Sequence, residues 1–457
     1  MMTDVYRNRK VGVIGLGRSG LAACRLARKA GAEVFATEMK GDVGDLEELR
    51  SLGVVVELGG HSDKVFDSDL AVLSPGIALD TEIVKKARNA GIFLLPELEF
   101  AWSLLPTKQF IAVTGTNGKS TTCALIGDIL RISGRDVLVG GNIGVPLSSL
   151  VPEASADTFI VSEVSTFQLE HIAHFRPWIS VLTNITQDHL DRHTDLSTYV
   201  ALKKRIFENQ REDDFSVINL LDPISMEVSA DIRAKRYFFA NQPEAVRGTF
   251  IHDGAVVFRD GQDTELLDLD SIPISKVVSV ENVLAATLVA SLCGCAPSAC
   301  AKGVRQFKGL PHRLEEVASR NGVIWINNSM CTNPVAAQTS IMSLQTPVVL
   351  IAGGKDKGLD PTPLIDVIVK RVKFTILMGD VSEALGRSLS QRGYGSHTQV
   401  DTMDEAVRLA HSVAKEGDSV LLSPGYSSLD MYINFEERGE DFKQSVHRLY
   451  GRHDERR

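Results

Sequence analysis

Short apolar runs recur along this chain, each followed by glycine or polar residues and then by a stretch whose apolar positions carry helical spacing. The first run, Val-Gly-Val-Ile at 11–14, leads through Gly15-x-Gly17-x-x-Gly20 into a predicted helix over 21–30 and a strand over 33–36. Strands are predicted again at 54–57, 70–73 and 92–94, with a helix across 82–89, and this segment closes near Pro96-Glu97-Leu98. A second segment opens with a strand at 110–113 and a helix through Leu125, Ile126 and Ile129. Strands at 137–139, 158–162 and 179–183 follow, then an amphipathic helix over 196–209. Residues 217–267 read as β-rich, with turns such as His252-Asp253-Gly254, and 283–292 as a helix. After a break at Gly309-Leu310-Pro311-His312-Arg313 comes a third alternation. Its strands are 323–327, 348–352, 374–378 and 419–422; its helices are 334–344, 363–371 and 404–415. Strands alternating with helices predict parallel sheets.

The stretch Ile-Ala-Val-Thr-Gly-Thr-Asn-Gly-Lys-Ser-Thr-Thr at 111–122 is strand, loop and helix start in one. Glycines let backbone N–H groups turn inward around an anion, and a helix N-terminus adds partial positive charge. Lys119 then reaches the β/γ-phosphates and the Ser120 hydroxyl is placed to ligate Mg²⁺. The common phosphate loop has glycine where this chain has Val113; the first glycine here is Gly115, so the loop is a variant, Gly-Thr-Asn-Gly-Lys-Ser. An ATP site follows. The predicted fold class is α/β with three consecutive domains: Rossmann-like over 1–98, a central P-loop ATPase-like parallel sheet over 99–309, and Rossmann-like over 310–457.

In open α/β sheets ligands gather outside the carboxyl ends of the strands, so Gly141-Asn142, Glu163 and the run from Asn184 to Asp188-His189 should converge on the loop. A carboxylate such as Glu163, closing a buried strand, is costly unless it meets a cation, which suits Mg²⁺ shared with Ser120. His189, in the ionisable cluster Asp188–His193, has the chemistry of a metal ligand or proton carrier. Lys203, Lys204 and Arg205 form a basic helix face. Gly353-Gly354-Lys355-Asp356-Lys357-Gly358 and Ser423-Pro424-Gly425-Tyr426-Ser427-Ser428 each follow a strand; a lysine there meets a carboxylate or phosphate as a point charge. The Gly15–Gly20 turn, with Glu38 near the end of the next strand, keeps a nicotinamide cofactor open.

A net charge of −9 over 457 residues argues against a broad nucleic-acid footprint. The N-terminal residues lack the apolar stretch of a signal peptide, and the longest apolar run, 283–295, is too short to span a bilayer. No membrane insertion, a cytoplasmic location and a monomer are expected. The six cysteines read as reduced core thiols. Cys293-x-Cys295-x₄-Cys300 lacks a nearby fourth ligand and the paired spacing of a zinc site, so buried helix cysteines are expected there too.

The run Thr114–Thr122 resembles the Mur ligase family, which forms amide bonds with ATP in peptidoglycan precursor synthesis. Glu163-Val164-Ser165-Thr166-Phe167-Gln168-Leu169-Glu170, Thr183–Arg192, Gly140-Gly141-Asn142-Ile143-Gly144 and Leu310–Arg313 are similar to its other signatures. With Ser74-Pro75-Gly76-Ile77 and Asn434-Phe435-Glu436-Glu437-Arg438-Gly439, the pattern is most like members that add D-glutamate to UDP-N-acetylmuramoyl-L-alanine. The resemblance implies that the first domain holds the uridine diphosphate end near Arg18, Ser19 and Ser74, which displaces the nicotinamide reading. It implies MgATP on Gly115, Thr116, Asn117, Gly118, Lys119, Ser120 and Thr121, with Asn282 and Arg313 as further nucleotide contacts. One Mg²⁺ would lie on Ser120 and Glu163, a second on His189 and Lys203, and Lys119, Glu163, His189 and Lys203 form the implied catalytic set. The family's matching lysine is carbamylated: an ammonium cannot ligate a cation, whereas an N-carboxylate can. Asn142, Ser165, Thr166, Gln168 and His189 would line the muramoyl and alanyl portion; Thr332, Lys357, Ser428 and Phe435 would hold the incoming glutamate.

The implied reaction has the alanyl carboxylate attack the γ-phosphate, giving an acyl phosphate and ADP, before the glutamate amine displaces phosphate. Domain closure would keep water from the acyl phosphate. Three places depart from the family pattern. Asn327-Asn328-Ser329-Met330 stands for Asn-Asp-Ser-Lys, removing a carboxylate from a ribose contact and a phosphate-facing charge. Val278-Ser279-Val280-Glu281-Asn282 stands for His-Asn-x-x-Asn, so only Asn282 of a base-contacting pair is kept. Thr37 stands where an acid is expected, with Glu38 adjacent. These imply an altered nucleotide grip with catalysis retained. Two alternatives stay open at this point: a related ligase adding another amino acid or L-glutamate, and a non-catalytic nucleotide-binding regulator.

Overall fold

The structure, a computed structural model, describes residues 5–186, 195–244, 246–272 and 279–454. They form two compact units, one running to Phe307 and the other beginning at Lys308.

The first unit contains two sheets. β1 (Lys10–Ile14), β2 (Glu33–Glu38), β3 (Val55–Leu58), β4 (Leu70–Leu73) and β5 (Phe93–Pro96) are parallel, in the order β3-β2-β1-β4-β5. β1 is central, and its apolar run is buried on both faces, as an inner parallel strand requires. The second sheet comprises β6 (Phe110–Thr114), β7 (Val137–Gly141), β8 (Phe159–Glu163), β9 (Ile179–Leu182), β10 (Phe215–Asn219), β11 (Lys235–Ala240), β12 (Gly248–His252), β13 (Ala255–Asp260) and β14 (Gln262–Asp268). Its order is β14-β13-β12-β11-β10-β9-β6-β8-β7. Pairing is parallel from β7 across to β12 and antiparallel from β12 to β14. The antiparallel part turns at Asp253 and Gly254, with φ of 48° and 76°, the left-handed pair that a tight hairpin demands.

Between the sheets the chain passes through the helix Glu97–Ser103. Its two carboxylates bond main-chain groups of the central part: Glu97 accepts from the Ser148 N–H at 2.7 Å, and Glu99 from those of Ala173 and His174 at 2.5 Å each. Burial pushes the Glu97 carboxyl above its ordinary range. Val11, Leu26, Phe100, Phe110, Leu147 and Ile160 belong to one apolar cluster, so both sheets share a core.

The second unit is built on β15 (Glu315–Arg320), β16 (Val323–Asn327), β17 (Val348–Gly353), β18 (Val372–Met378), β19 (His397–Gln399) and β20 (Ser419–Gly425). The order is β15-β16-β20-β17-β18-β19, and only β15 runs antiparallel to its neighbour.

The elements the apolar pattern predicted lie within a few residues of where the structure has them, with one correction. The helix expected over 196–209 spans Leu196–Lys204 and tightens into a 3₁₀ turn, Arg205–Phe207. There the Arg205 guanidinium donates to the carbonyls of Leu169, Glu170 and Ile172, a distant anchor that local periodicity does not contain. All six cysteines are buried. Among the described residues no helix is long and apolar enough to cross a membrane.

Candidate active site

The phosphate loop leaves β6 and enters the helix Lys119–Ile132. Gly115 and Gly118 take φ of 145° and 82°. A Cβ on Gly115 would stand 1.9 Å from the Thr183 hydroxyl, and one on Gly118 2.9 Å from the Asn282 amide, so both positions need glycine. The loop is laced to the segment after β9. Thr116 N–H donates to the Asn184 carbonyl at 2.9 Å, Asn117 N–H to Asn184 Oδ1 at 2.9 Å, and Thr183 Oγ1 to the Asn117 carbonyl at 2.6 Å. Lys119 Nζ donates to the Thr116 carbonyl at 2.8 Å, holding the ammonium over its own loop. Asn282 braces the other side: its Nδ2 donates to the Gly118 carbonyl at 3.2 Å while Ser279 Oγ donates to its Oδ1 at 2.6 Å.

Beside the loop, Glu163 is the last residue of β8 and 2% exposed. Ser120 Oγ donates to one of its oxygens at 2.6 Å and Asn142 Nδ2 to the other at 2.9 Å. The strand-end rule thus brings Ser120, Asn142 and Glu163 together as expected. Lys203 is 2% exposed; its Nζ donates to the Gly115 carbonyl at 2.7 Å and lies 4.5 Å from the centre of the Tyr199 ring. Tyr199 Oη and Thr116 Oγ1 are 3.2 Å apart, which joins this helix to the loop. Asn184 meets the loop as the strand-end rule expects, whereas Tyr199 and Thr183 are site residues that sequence reasoning did not assign; the i, i+4 spacing of Tyr199 and Lys203 was the available signal.

Ser165 and Gln168 form a reciprocal capping box on the turn Thr166–Leu169, which fixes Thr166 and Gln168, both buried, beside the end of β8. Thr121 is buried in the first turn of the helix Lys119–Ile132. His189 lies outside the described residues, which exclude 187–194. In the N-terminal sheet the Ser74 turn abuts the glycine-rich turn: a Cβ on Gly15 would be 3.1 Å from Ser74 Cβ. Arg18 and Ser19 open the helix Arg18–Lys29 at that same end of the sheet. Glu38, the acid that had kept a nicotinamide cofactor open, accepts from the Leu16 N–H at 2.7 Å.

In the second unit the carboxyl ends of β16, β17 and β20 meet around Arg438, which is 3% exposed. Its Nε donates to Ser329 Oγ at 3.0 Å, and its Nη atoms donate to the carbonyls of Ser329 and Tyr426. Desolvation lowers this guanidinium to about 10. Ser329 Oγ donates to the Phe435 carbonyl at 2.7 Å, and Lys355 and Ser427 exchange main-chain bonds, so the loops carrying Lys357, Ser428 and Phe435 are held as one group. Partial desolvation and then the charge of Arg438 hold the Lys357 ammonium below its ordinary range. Thr332 adjoins them through Cys331, whose carbonyl accepts from Gly425 N–H at 3.1 Å. Arg313 sits in the turn between Phe307 and β15. Arg438 went unassigned in the sequence, although it lies in the 434–439 motif.

Family models match three consecutive stretches: a Mur ligase MurD-like N-terminal domain at residues 9–95, a Mur ligase middle domain at 113–290, and a Mur ligase glutamate ligase domain at 312–425. A protein of Caldanaerobacter subterraneus subsp. tengcongensis named UDP-N-acetylmuramoylalanine–D-glutamate ligase is 42% identical over 446 residues, covering 96% of this chain and 98% of that one. This chain belongs to the Mur ligase family. Its three α/β sheets are the Mur ligase fold, also found at 17% identity in the structure of UDP-N-acetylmuramate-alanine ligase MurC from Thermotoga maritima. That likeness covers 98% of this chain and all of the other, with a TM-score of 0.59. The fold extends to FolC of E. coli in complex with ADP, at 19% identity, covering 78% of this chain and 93% of that one, with a TM-score of 0.54.

Proposed function

We propose that this Mur ligase adds D-glutamate to UDP-N-acetylmuramoyl-L-alanine at the expense of ATP, in the cytoplasm and as a monomer. The observation that carries the reading is the buried Ser120–Glu163–Asn142 contact beneath the phosphate loop, in a chain alike from end to end to named D-glutamate ligases. Residues 1–98 serve the uridine diphosphate end, 99–309 the nucleotide, and 310–457 the amino acid.

ATP is a substrate here. The main-chain N–H groups of the loop and the ammonium of Lys119 take its phosphates, with Lys119 exchanging the Thr116 carbonyl for a phosphate oxygen. Ser120 and Glu163 fit a magnesium ion: a hydroxyl and a carboxylate are hard oxygen donors, and both Glu163 oxygens meet neutral donors. A bound Mg²⁺ supplies Lewis-acid stabilisation of charge on the transferring phosphoryl group. Lys203, bonded to the Gly115 carbonyl as an ammonium, has no lone pair to offer, so its part in a second site with His189 requires the carbamate. Asn142 and the capped turn at Ser165–Gln168 orient the alanyl carboxylate for attack on the γ-phosphorus. The resulting acyl phosphate is attacked by the glutamate amine, the tetrahedral centre collapses, and phosphate leaves. Lys357 meets a glutamate carboxylate; Thr332, Ser428 and Phe435 shape its berth.

Purified enzyme is offered Mg²⁺, ATP, UDP-N-acetylmuramoyl-L-alanine and a panel of free amino acids, and ADP release is followed. D-Glutamate alone should sustain turnover, with L-glutamate inert. Turnover with another amino acid, or no ADP with any amine, overturns the reading.

A further inference from the structure

β9 lies between β6 and β10 in the central sheet, and its ladder with β10 stops at Leu182 and Ile218. The residues that follow, 183–186, have no regular structure, and their backbone groups are taken up on two sides. On the β6 side they meet the phosphate loop. Thr183 N–H donates to the Thr114 carbonyl at 3.0 Å, and the Asn184 carbonyl accepts from Thr116 N–H at 2.9 Å. Thr116 Oγ1 accepts from Thr186 N–H and donates to the Thr186 carbonyl, each at 3.0 Å. On the β10 side, side chains stand where ladder partners would be. Asn219, the last residue of β10, donates from Nδ2 to the Thr183 carbonyl at 3.0 Å. Asp222 accepts from Ile185 N–H at 2.9 Å through Oδ2.

The two side chains are opposite in kind. Leu221 N–H, a donor only, bonds Asn219 Oδ1 at 3.0 Å and so turns the amino group to the Thr183 carbonyl. A donor is therefore required at 219, and a carboxylate there would set an oxygen against that carbonyl. At 222 an acceptor is required. The Asp222 oxygen that takes Ile185 N–H also takes Ser225 N–H at 3.2 Å and the Ser225 hydroxyl, capping the helix Pro223–Ser229. Ile185 is 1% exposed, so cutting Asp222 back would strip its N–H of this bond in a place closed to water. Among the described residues neither side chain bonds the loop itself. Thr183 and Asn184 do, through the main chain of Thr114, Thr116 and Asn117, so the loop takes its shape from 183–186.

We propose that Asn219 and Asp222 are positioning residues for the nucleotide: as side chains they continue the ladder of β9 with β10, and so hold 183–186 as the mould on which the phosphate loop is set. The inference rests on the reading of 115–121 as the loop that takes the phosphates of ATP.

The test uses the full chain and four variants, Asp222→Ala, Asp222→Asn, Asn219→Asp and Lys119→Ala. Hydrogen exchange of main-chain amides is followed by mass spectrometry without nucleotide, and KM is measured for MgATP and for UDP-N-acetylmuramoyl-L-alanine. Asp222→Ala and Asn219→Asp should each speed exchange across 114–122 and raise KM for MgATP roughly tenfold, the worth of about one hydrogen bond, with the precursor KM unchanged. Asp222→Asn should match the parent in both, since an amide oxygen accepts the same N–H. Were Asp222 only a helix cap, Asp222→Ala would speed exchange in 223–229 alone and leave KM for MgATP parental, and the proposal would fall. It would fall too if Asp222→Asn were as impaired as Asp222→Ala, because charge and not the bond would then be at work. Asn219→Asp leaves the cap intact and decides the matter if Asp222→Ala does not fold: parental exchange across 114–122 in that variant overturns the proposal. Lys119→Ala should raise KM for MgATP without touching Asn219 or Asp222. A parental KM there removes the phosphate-loop reading, and the proposal with it.

Discussion

Glu163 shows how much a single side chain decides. Both of its oxygens are bonded and it is almost fully enclosed. Glu163→Gln keeps the shape, retains an acceptor for Asn142, and lets the Ser120 hydroxyl turn to accept. What it loses is the charge. Turnover measured by ADP release should fall by roughly a hundredfold or more, as for other losses of transition-state charge stabilisation, while thermal unfolding stays near the parent. Lys203 offers a chemical test of a different sort. Lys203→Ala should abolish ligation, and added acetate or formate should restore part of it by standing in for the carbamate; full activity without rescue would contradict the carbamate. The meeting of Ser120 with Glu163 was legible in the sequence because a strand end beside a phosphate loop leaves little choice. The setting of Asn328 was not: its identity is plain in the chain, but the orientation of its amide is set by Leu314, Ser340 and Ser423, brought in from distant segments.

At the scale of elements, buried parallel strands announced themselves as unbroken apolar runs, and β1, β6, β8 and β17 lie close to where the pattern put them. β15 carries no such run: Glu-Glu-Val-Ala-Ser-Arg pairs on one side only, and its residues stay partly exposed. The helix Phe435–Asp454 was missed as well, since its charged residues outweigh the few buried positions such as Phe442 and Val446. Helix caps matter for function here. Ser279 caps the helix Val280–Leu292 and also fixes the Asn282 amide against Gly118. Ser279→Ala should cost about 1 kcal/mol in denaturant unfolding and raise KM for MgATP, because the brace on the loop goes with the cap.

Across the first unit, the shared core and the carboxylates of Glu97 and Glu99 make the N-terminal sheet dependent on the central one. Residues 1–98 expressed alone should lack a cooperative unfolding transition by calorimetry, since Phe100, Leu104 and Leu147 would no longer cover that side of the cluster. The same joint is sensitive to acid. Burial, then the charges of Arg88 and Arg205, lower His171 to about 4, and its Nε2 accepts from Arg88 at 2.6 Å. The unfolded chain takes up this proton near pH 6.5 and the folded chain only near 4. Stability from this group is therefore complete above pH 6.5 and declines as pH falls toward 4. His171→Gln should flatten that part of the unfolding profile.

The enclosed thiols have a practical corollary. Burial raises Cys24 and Cys300 to about 12, and the other four are raised too, so none offers appreciable thiolate to an alkylating reagent while the fold is intact. Iodoacetamide would then mark only those moments at which a region breathes. Because Cys24 lies in the helix Arg18–Lys29, Cys123 in the helix Lys119–Ile132 and Cys331 in the loop after β16, peptide mass mapping of the label would time the opening of each region separately within a single reaction tube.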